Sequence, residues 1–378
     1  MKCSGCAFVR YCDRTCQKNG WIIHKYECHN LKRIAPRKLP DAARLLSRII
    51  IKLNKGGADE KSYYTKSNYR KFKDLMSRKL FKHFMSLNSV LHEYLQDQLI
   101  PNTAELLMVI NTFNILDSEM QSIGSGLYLA SSIIDHSCSP NAVAVFKGTT
   151  IFIRTLEDIP IMDWSKVFIS YIELLNLPEI RQQELLSSYY FLCQCSKCTD
   201  SDNLNFMKSI YCQNEKCKNF LMPNEVECHK CGQSISKEDE DEIKEIIQYT
   251  ESELNKMENM AYLDICRICL QKQEKYLTPL NIYKVKILDL AMESSIALEN
   301  WESAVFYGRQ LLEPFLKYYG EYHPLRGIFL MKLGKILFLL NNIDEAKKYF
   351  KEANLILSVT HGKNHCFSRE LNNYMCQS

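Results

Sequence analysis

The segment Asp135-His136-Ser137-Cys138-Ser139-Pro140-Asn141, followed by Tyr171 and then by Cys193-x-Cys195-x2-Cys198, constrains the fold of this chain more than any other feature. Three cysteines this close supply three thiolates, and a tetrahedral metal ion takes a fourth ligand. Cys138, alone in its turn, is the natural partner. The chain must therefore bring that turn up against the cysteine-rich tail.

Cysteine usage elsewhere agrees. The 378 residues include 17 cysteines. Met1-Lys2-Cys3 leads directly into a Cys/His cluster without the apolar stretch of a secretory signal. No apolar run reaches the roughly 18 residues of a membrane span. Paired cysteines in a reducing compartment read as zinc ligands before disulfides, so cytoplasm and nucleus are expected, with no membrane. An apolar content of 46% and mixed charge describe a globular chain long enough for two or three domains. A net charge of +4 creates no dominant field for polyanions, and no basic recognition helix accompanies the cysteine clusters. Direct nucleic-acid binding is not expected.

Residues 1–28 carry Cys3-x2-Cys6, Cys12-x3-Cys16 and His24-x3-Cys28. Six ligands cannot complete two tetrahedral sites, and the residues alone leave open a one-zinc finger with two spare thiols. Further along, Cys212-x4-Cys217 and Cys228-x2-Cys231 form a four-ligand set spaced for a small zinc ribbon, with Gly232 suited to a tight turn. Its bland alternative is a group of unliganded surface thiols.

From about 40 to 120 the pattern is mainly helical. Ala42, Leu45, Leu46, Ile49 and Ile50 form one apolar stripe, Leu75, Leu80, Phe81, Phe84 and Met85 a second, and Leu106 to Ile115 a third. Gly124-Ser125-Gly126 reads as a flexible turn, since no Gly-Lys-Ser/Thr follows to make a phosphate loop. Short β-rich runs follow at Ala142 to Phe146, Ile151 to Ile153 and Val167 to Ile169. Ser236 to Glu245 is a linker or a solvated helix start. From about 240 onward the chain is helical with an internal repeat. Trp301-Glu302-x-Ala304 returns as Ile343-Asp344-Glu345-Ala346, and Gly320-x2-His323 as Gly362-x2-His365, each forty-two residues on. That period suits stacked helix pairs of the tetratricopeptide type. Cys266 and Cys269 read as core thiols, and His323 and His365 as turn-packing residues.

In order along the chain, these motifs resemble the SET and MYND domain (SMYD) family of protein-lysine methyltransferases. Tyr11 before Cys12 and Trp21 before His24 resemble the second part of a MYND finger. The resemblance implies an α+β fold: a SET β-fold with inserted helices and zinc modules, followed by an all-α tetratricopeptide-like domain. The implied divisions are 1–28 for a partial MYND finger, 29–190 for the SET domain, 191–235 for the cysteine-rich zinc region and 236–378 for the helical domain. Cys3, Cys6, His24 and Cys28 would hold one Zn2+. Cys12 and Cys16 would share a second with a Cys-x2-Cys pair expected upstream of residue 1. Cys138, Cys193, Cys195 and Cys198 would hold another, pinning the tail over the active site. Asn111, Asp135, His136, Tyr171, Tyr189 and Phe191 would contact S-adenosyl-L-methionine. Tyr171 would be the catalytic residue, orienting a substrate lysine on histone or non-histone proteins. The finger would bind proline-rich peptides.

Two departures from the family pattern stand out. Asp135 occupies the position of an asparagine, and an ionised aspartate accepts hydrogen bonds but donates none. The family's opening SET strands, with a glycine-containing cofactor loop, are expected to precede residue 1. These departures favour an alternative of a different class, a catalytically impaired scaffold that binds partners through its finger and helical domain.

Overall fold

The structure is a computed structural model describing residues 1–54, 91, 93–96, 111–128, 130–160, 163–217, 219–222, 225–257 and 262–376. The second apolar stripe, Leu75 to Met85, lies outside these residues, as does the first half of the third. Contacts divide the chain into two units, residues 1–115 with 122–132, and residues 116–121 with 133–378.

In the first unit, α1 (Arg14–His24) starts where Asp13 caps the N–H of Cys16 at 2.7 Å. Helix α2 (Cys28–Ile34) follows, then α3 (Asp41–Asn54). The apolar face of α3 buries Ala43, Leu46 and Ile50 completely, in a core shared with Cys3, Cys6, Tyr11 and Leu31. Strands β1 (Thr112–Leu116) and β2 (Ser122–Leu127) pair with each other. Both correct the sequence reading. The helical pattern gives way to a strand at Thr112, and Gly124-Ser125-Gly126 lies within β2 rather than in a turn. The backbone of β2 finds its partner in β1, and that pairing outweighs the low strand preference of glycine.

In the second unit, β3 (Asp135–His136) pairs in parallel with β6 (Phe168–Ile169), and β4 (Ala142–Lys147) pairs antiparallel with β5 (Thr150–Thr155). Asn141 ties the two pairs together. Its amide nitrogen donates to the Lys166 carbonyl and its amide oxygen accepts from the N–H of Phe168, each at 2.8 Å. Pro178 opens α4 (Pro178–Tyr189), and Tyr190 closes it in the left-handed conformation. The short helices α5 (Ser196–Thr199) and α6 (Ser201–Met207) lead to a hairpin of β7 (Ile210–Tyr211) and β8 (Phe220–Leu221).

The rest is all helical: α7 (Lys237–Met257), α8 (Leu263–Gln273), α9 (Ile282–Ala297), α10 (Trp301–Tyr319), α11 (Pro324–Leu339), α12 (Ile343–Leu357) and α13 (Cys366–Cys376). The sequence repeat is visible in these bounds. Helices α10 and α12 begin at its matched positions Trp301 and Ile343, and Ala304 and Ala346 are fully buried. Gly320 and Gly362 both have positive φ, +87° and +101°, a conformation that side chains resist. His323 caps α11 through the N–H of Leu325 and stacks on Tyr319 at 4.5 Å. Cys266 and Cys269 are fully buried. Cys138 and Cys193 belong to the same core as these helices. None of the described helices is long and apolar enough to cross a membrane.

Candidate metal centres and active site

Among the described residues, three groups of four side chains bring their ligand atoms within 4.8 Å of one another: Cys3, Cys6, His24 and Cys28; Cys138, Cys193, Cys195 and Cys198; and Cys212, Cys217, Cys228 and Cys231. Zn–S bonds of about 2.3 Å in a tetrahedron put sulfurs roughly 3.8 Å apart. The separations fit that geometry: 3.7 Å for Cys3–Cys28, 3.5 Å for Cys138–Cys198, 3.5 Å for Cys212–Cys231 and 3.8 Å for Cys217–Cys228. Sets of four thiols, or three thiols and an imidazole, suit zinc and exclude the hard, oxygen-seeking cations. Cys12 and Cys16 fall outside the three groups; Cys12 is exposed and its thiol leans on the Asp13 carboxylate.

In the finger, a Cβ on Gly5 would stand 2.9 Å from the Cys28 sulfur, so only glycine lets that loop close around the ligands. His24 turns Nε2 toward the sulfurs of Cys3 and Cys6, at 3.3 and 3.4 Å. Behind it lies Glu27, a fully buried carboxylate that accepts paired hydrogen bonds from Arg44 and from Arg48 of α3. Burial works against ionisation of Glu27, but the two arginines and His24 outweigh it and hold the pKa down at about 2. Nothing in the local Cys/His pattern flags Glu27; its role depends on helix α3.

The central site is built from the ends of β3 and β6. Cys138 follows β3 by two residues, Tyr171 follows β6 by two, and Cys193 to Cys198 come in from the far end of α4. His136 joins them. Its Nδ1 accepts the backbone N–H of Tyr171 at 3.0 Å, and its Nε2 lies 3.2 Å from the Cys138 sulfur. Burial pushes the pKa of the ring down to about 4, so it is neutral near pH 7. The thiols act on one another: hydrogen bonds from Cys138 and Cys198 hold Cys195 far below an ordinary thiol, which is the ionised form a metal requires.

The hydroxyl of Tyr171 donates to the Ile134 carbonyl. Tyr189 packs against its ring at 4.9 Å, and Phe191 lies edge-on at 6.5 Å from it and 6.0 Å from His136. Asp135, His136, Tyr171, Tyr189 and Phe191 all belong to the second unit. Asn111 belongs to the first, where its carbonyl accepts the Tyr128 N–H at 3.3 Å.

Two supporting residues have no signal in the motif. Arg181 of α4 is 1% exposed and donates to the carbonyls of Asn176 and Lys197, with Nη2 also 3.7 Å from the Cys198 sulfur. Gln182 holds the Cys193 carbonyl at 2.8 Å. Lys197 reaches across to the Tyr318 carbonyl on α10 at 2.7 Å, fastening the cysteine-rich tail to the helical region.

A tyrosine just past a short strand and packed beside a cysteine-rich tail, with a Cys/His finger before it in the chain and stacked helices after it, defines a SET-type zinc protein with a MYND finger. Comparison with known proteins narrows that class. The MYND finger family matches residues 1–28. The human histone-lysine N-methyltransferase SMYD3 is 31% identical over 382 residues, spanning 98% of this chain and 83% of its own length. The mouse N-lysine methyltransferase SMYD2 is 27% identical with 84% of its length covered, and the Arabidopsis thaliana histone-lysine N-methyltransferase ASHR1 is 28% identical with 82% covered. The chain belongs to the SMYD family, and by that resemblance it is a protein-lysine N-methyltransferase.

Proposed function

We propose that the protein methylates the Nε of lysine side chains on histone and non-histone proteins, with S-adenosylmethionine as donor. The observation that carries this reading is the placement of Tyr171. Its backbone is gripped by His136, its hydroxyl by the Ile134 carbonyl, and its ring by Tyr189 and Phe191. S-adenosylmethionine, when bound, supplies a methyl on a positively charged sulfur that an amine displaces in line. The chain's own residues position and shield. Because the Tyr171 hydroxyl commits its proton to Ile134, what its oxygen offers an incoming amine is acceptance of an N–H. That contact orients the amine nitrogen. The faces of Tyr171, Tyr189 and Phe191 favour a cationic sulfur or amine and exclude water. Asp135 and the backbone of His136 complete the proposed cofactor group in this unit.

The finger is a peptide-docking module in this reading. Trp21, Ile22, Ile23 and Tyr26 are 41–66% exposed along one stretch, an apolar surface suited to proline-rich segments. The protein works in cytoplasm and nucleus.

The test is transfer of labelled methyl from S-adenosylmethionine to histones and to lysine peptide arrays, comparing wild type with Tyr171→Phe. Loss of the hydroxyl should cut turnover by about 100-fold or more while zinc content stays unchanged. Undiminished turnover would sink the role given to Tyr171.

A further inference from the structure

We propose that His136 is a positioning residue that locks the backbone of Tyr171 to the Cys138/Cys193/Cys195/Cys198 metal centre. The proposal rests on the catalytic reading of Tyr171 and adds to it a mechanical link from the metal. The ladder between β3 and β6 pairs Asp135 with Phe168 and His136 with Ile169, and ends with the Ser137 N–H on the Ile169 carbonyl at 3.1 Å. It cannot run further, because Cys138 turns away to join the other thiols. Tyr171 lies two residues past the last pair, beyond the reach of backbone pairing. The imidazole of His136 supplies the next rung.

Hydrogen-bond chemistry fixes the state of that ring without recourse to its acidity. A backbone N–H can only donate, so Nδ1, 3.0 Å from the Tyr171 nitrogen, must present its lone pair. The ring proton therefore sits on Nε2, and Nε2 is 3.2 Å from the Cys138 sulfur. A cluster of four thiolates around one divalent cation carries excess negative charge, and an N–H aimed at a ligand sulfur is stabilising there. One planar group thus spans the ligand sulfur and the tyrosine backbone. The side chain lies between the Cys138 sulfur and the Tyr171 backbone, and its ring also packs 5.3 Å from that of Tyr171.

Full-length protein loaded with cadmium-113 and labelled with nitrogen-15 on tyrosine would be compared with His136→Phe and His136→Gln. Phenylalanine keeps the ring and removes both hydrogen bonds. The glutamine amide carries an acceptor and a donor on one planar group and can restore both. The proposal predicts that His136→Phe moves a single cadmium resonance and the Tyr171 amide, and lowers kcat by about 10- to 100-fold with the KM for S-adenosylmethionine within about 3-fold. His136→Gln should recover most of all three. A raised KM with kcat unchanged would make the side chain a cofactor contact and overturn the proposal. Cadmium and Tyr171 signals unmoved by His136→Phe would also overturn it. Should the wild-type chain transfer no methyl, the catalytic reading fails, while the two resonances still decide whether His136 joins the metal to the backbone. If His136→Phe does not fold, the Gln variant decides: wild-type-like resonances support the bridge, and signals displaced together with a raised KM refute it.

Discussion

Glu27 grips His24 from behind: its Oε1 lies 3.0 Å from Nδ1, while Nε2 of the same ring faces Cys3 and Cys6. The carboxylate therefore holds the Nδ1 proton and leaves Nε2 bare for a metal. Because Arg44 and Arg48 bind the same carboxylate, the ligand histidine and helix α3 share one buried ion cluster.

Replacing Glu27 with Gln should loosen the finger's metal without touching any ligand. Zinc affinity at this site is expected to fall about 10- to 100-fold. Competition with a coloured chelator would show one of the zinc ions released early and the others unchanged. Uniform release of all zinc would contradict the local role of Glu27.

Close approach governs the packing of α11 on α12. A Cβ on Gly334 would stand 2.7 Å from the Phe350 ring and 3.3 Å from the Ala346 carbonyl. Alanine favours helix over glycine by about 1 kcal/mol, yet overpacking here should leave Gly334→Ala less stable by about 1–3 kcal/mol. Urea unfolding measures the difference. A stabilised variant would mean that the two helices separate easily.

Asp289 of α9 gives the helical region a pH dependence. Burial, then Glu293 and Glu173, raise its carboxyl to about 7, against some relief from Lys332. The unfolded chain loses this proton near pH 4 and the folded chain keeps it to about 7. Over that window the native state binds more protons, so stability falls as pH rises and the loss is complete above 7. Asp289→Asn should remove this slope, and should be the more stable protein at pH 8 by an amount on the order of 2 kcal/mol. Parallel melting curves for both proteins from pH 4 to 8 would contradict the assignment.

Metal ligands and repeats were legible in the sequence because both leave short, fixed spacings. Cys193-x-Cys195-x2-Cys198 must put its thiols side by side, and a repeat of forty-two residues must start its helices at matching positions, as Trp301 and Ile343 do. Residues that work across long distances left no such mark. Nothing in the sequence singles out Glu27 or Arg181; their roles emerge only where Arg44, Arg48, Cys198 and the Lys197 carbonyl stand around them. The role of Gly124-Ser125-Gly126 was misread for the same reason, since a strand rich in glycine is defined by its partner β1 and not by its own composition. At His136 the motif is visible as a string of letters, but which nitrogen bears the proton follows only from the Tyr171 N–H.

Calorimetric titration of S-adenosylmethionine into the zinc-loaded, monodisperse chain tests the account at its centre. Saturable binding with one cofactor per chain is the predicted result. A folded protein with all its zinc that takes up no S-adenosylmethionine would contradict the enzymatic reading and leave the chain a scaffold.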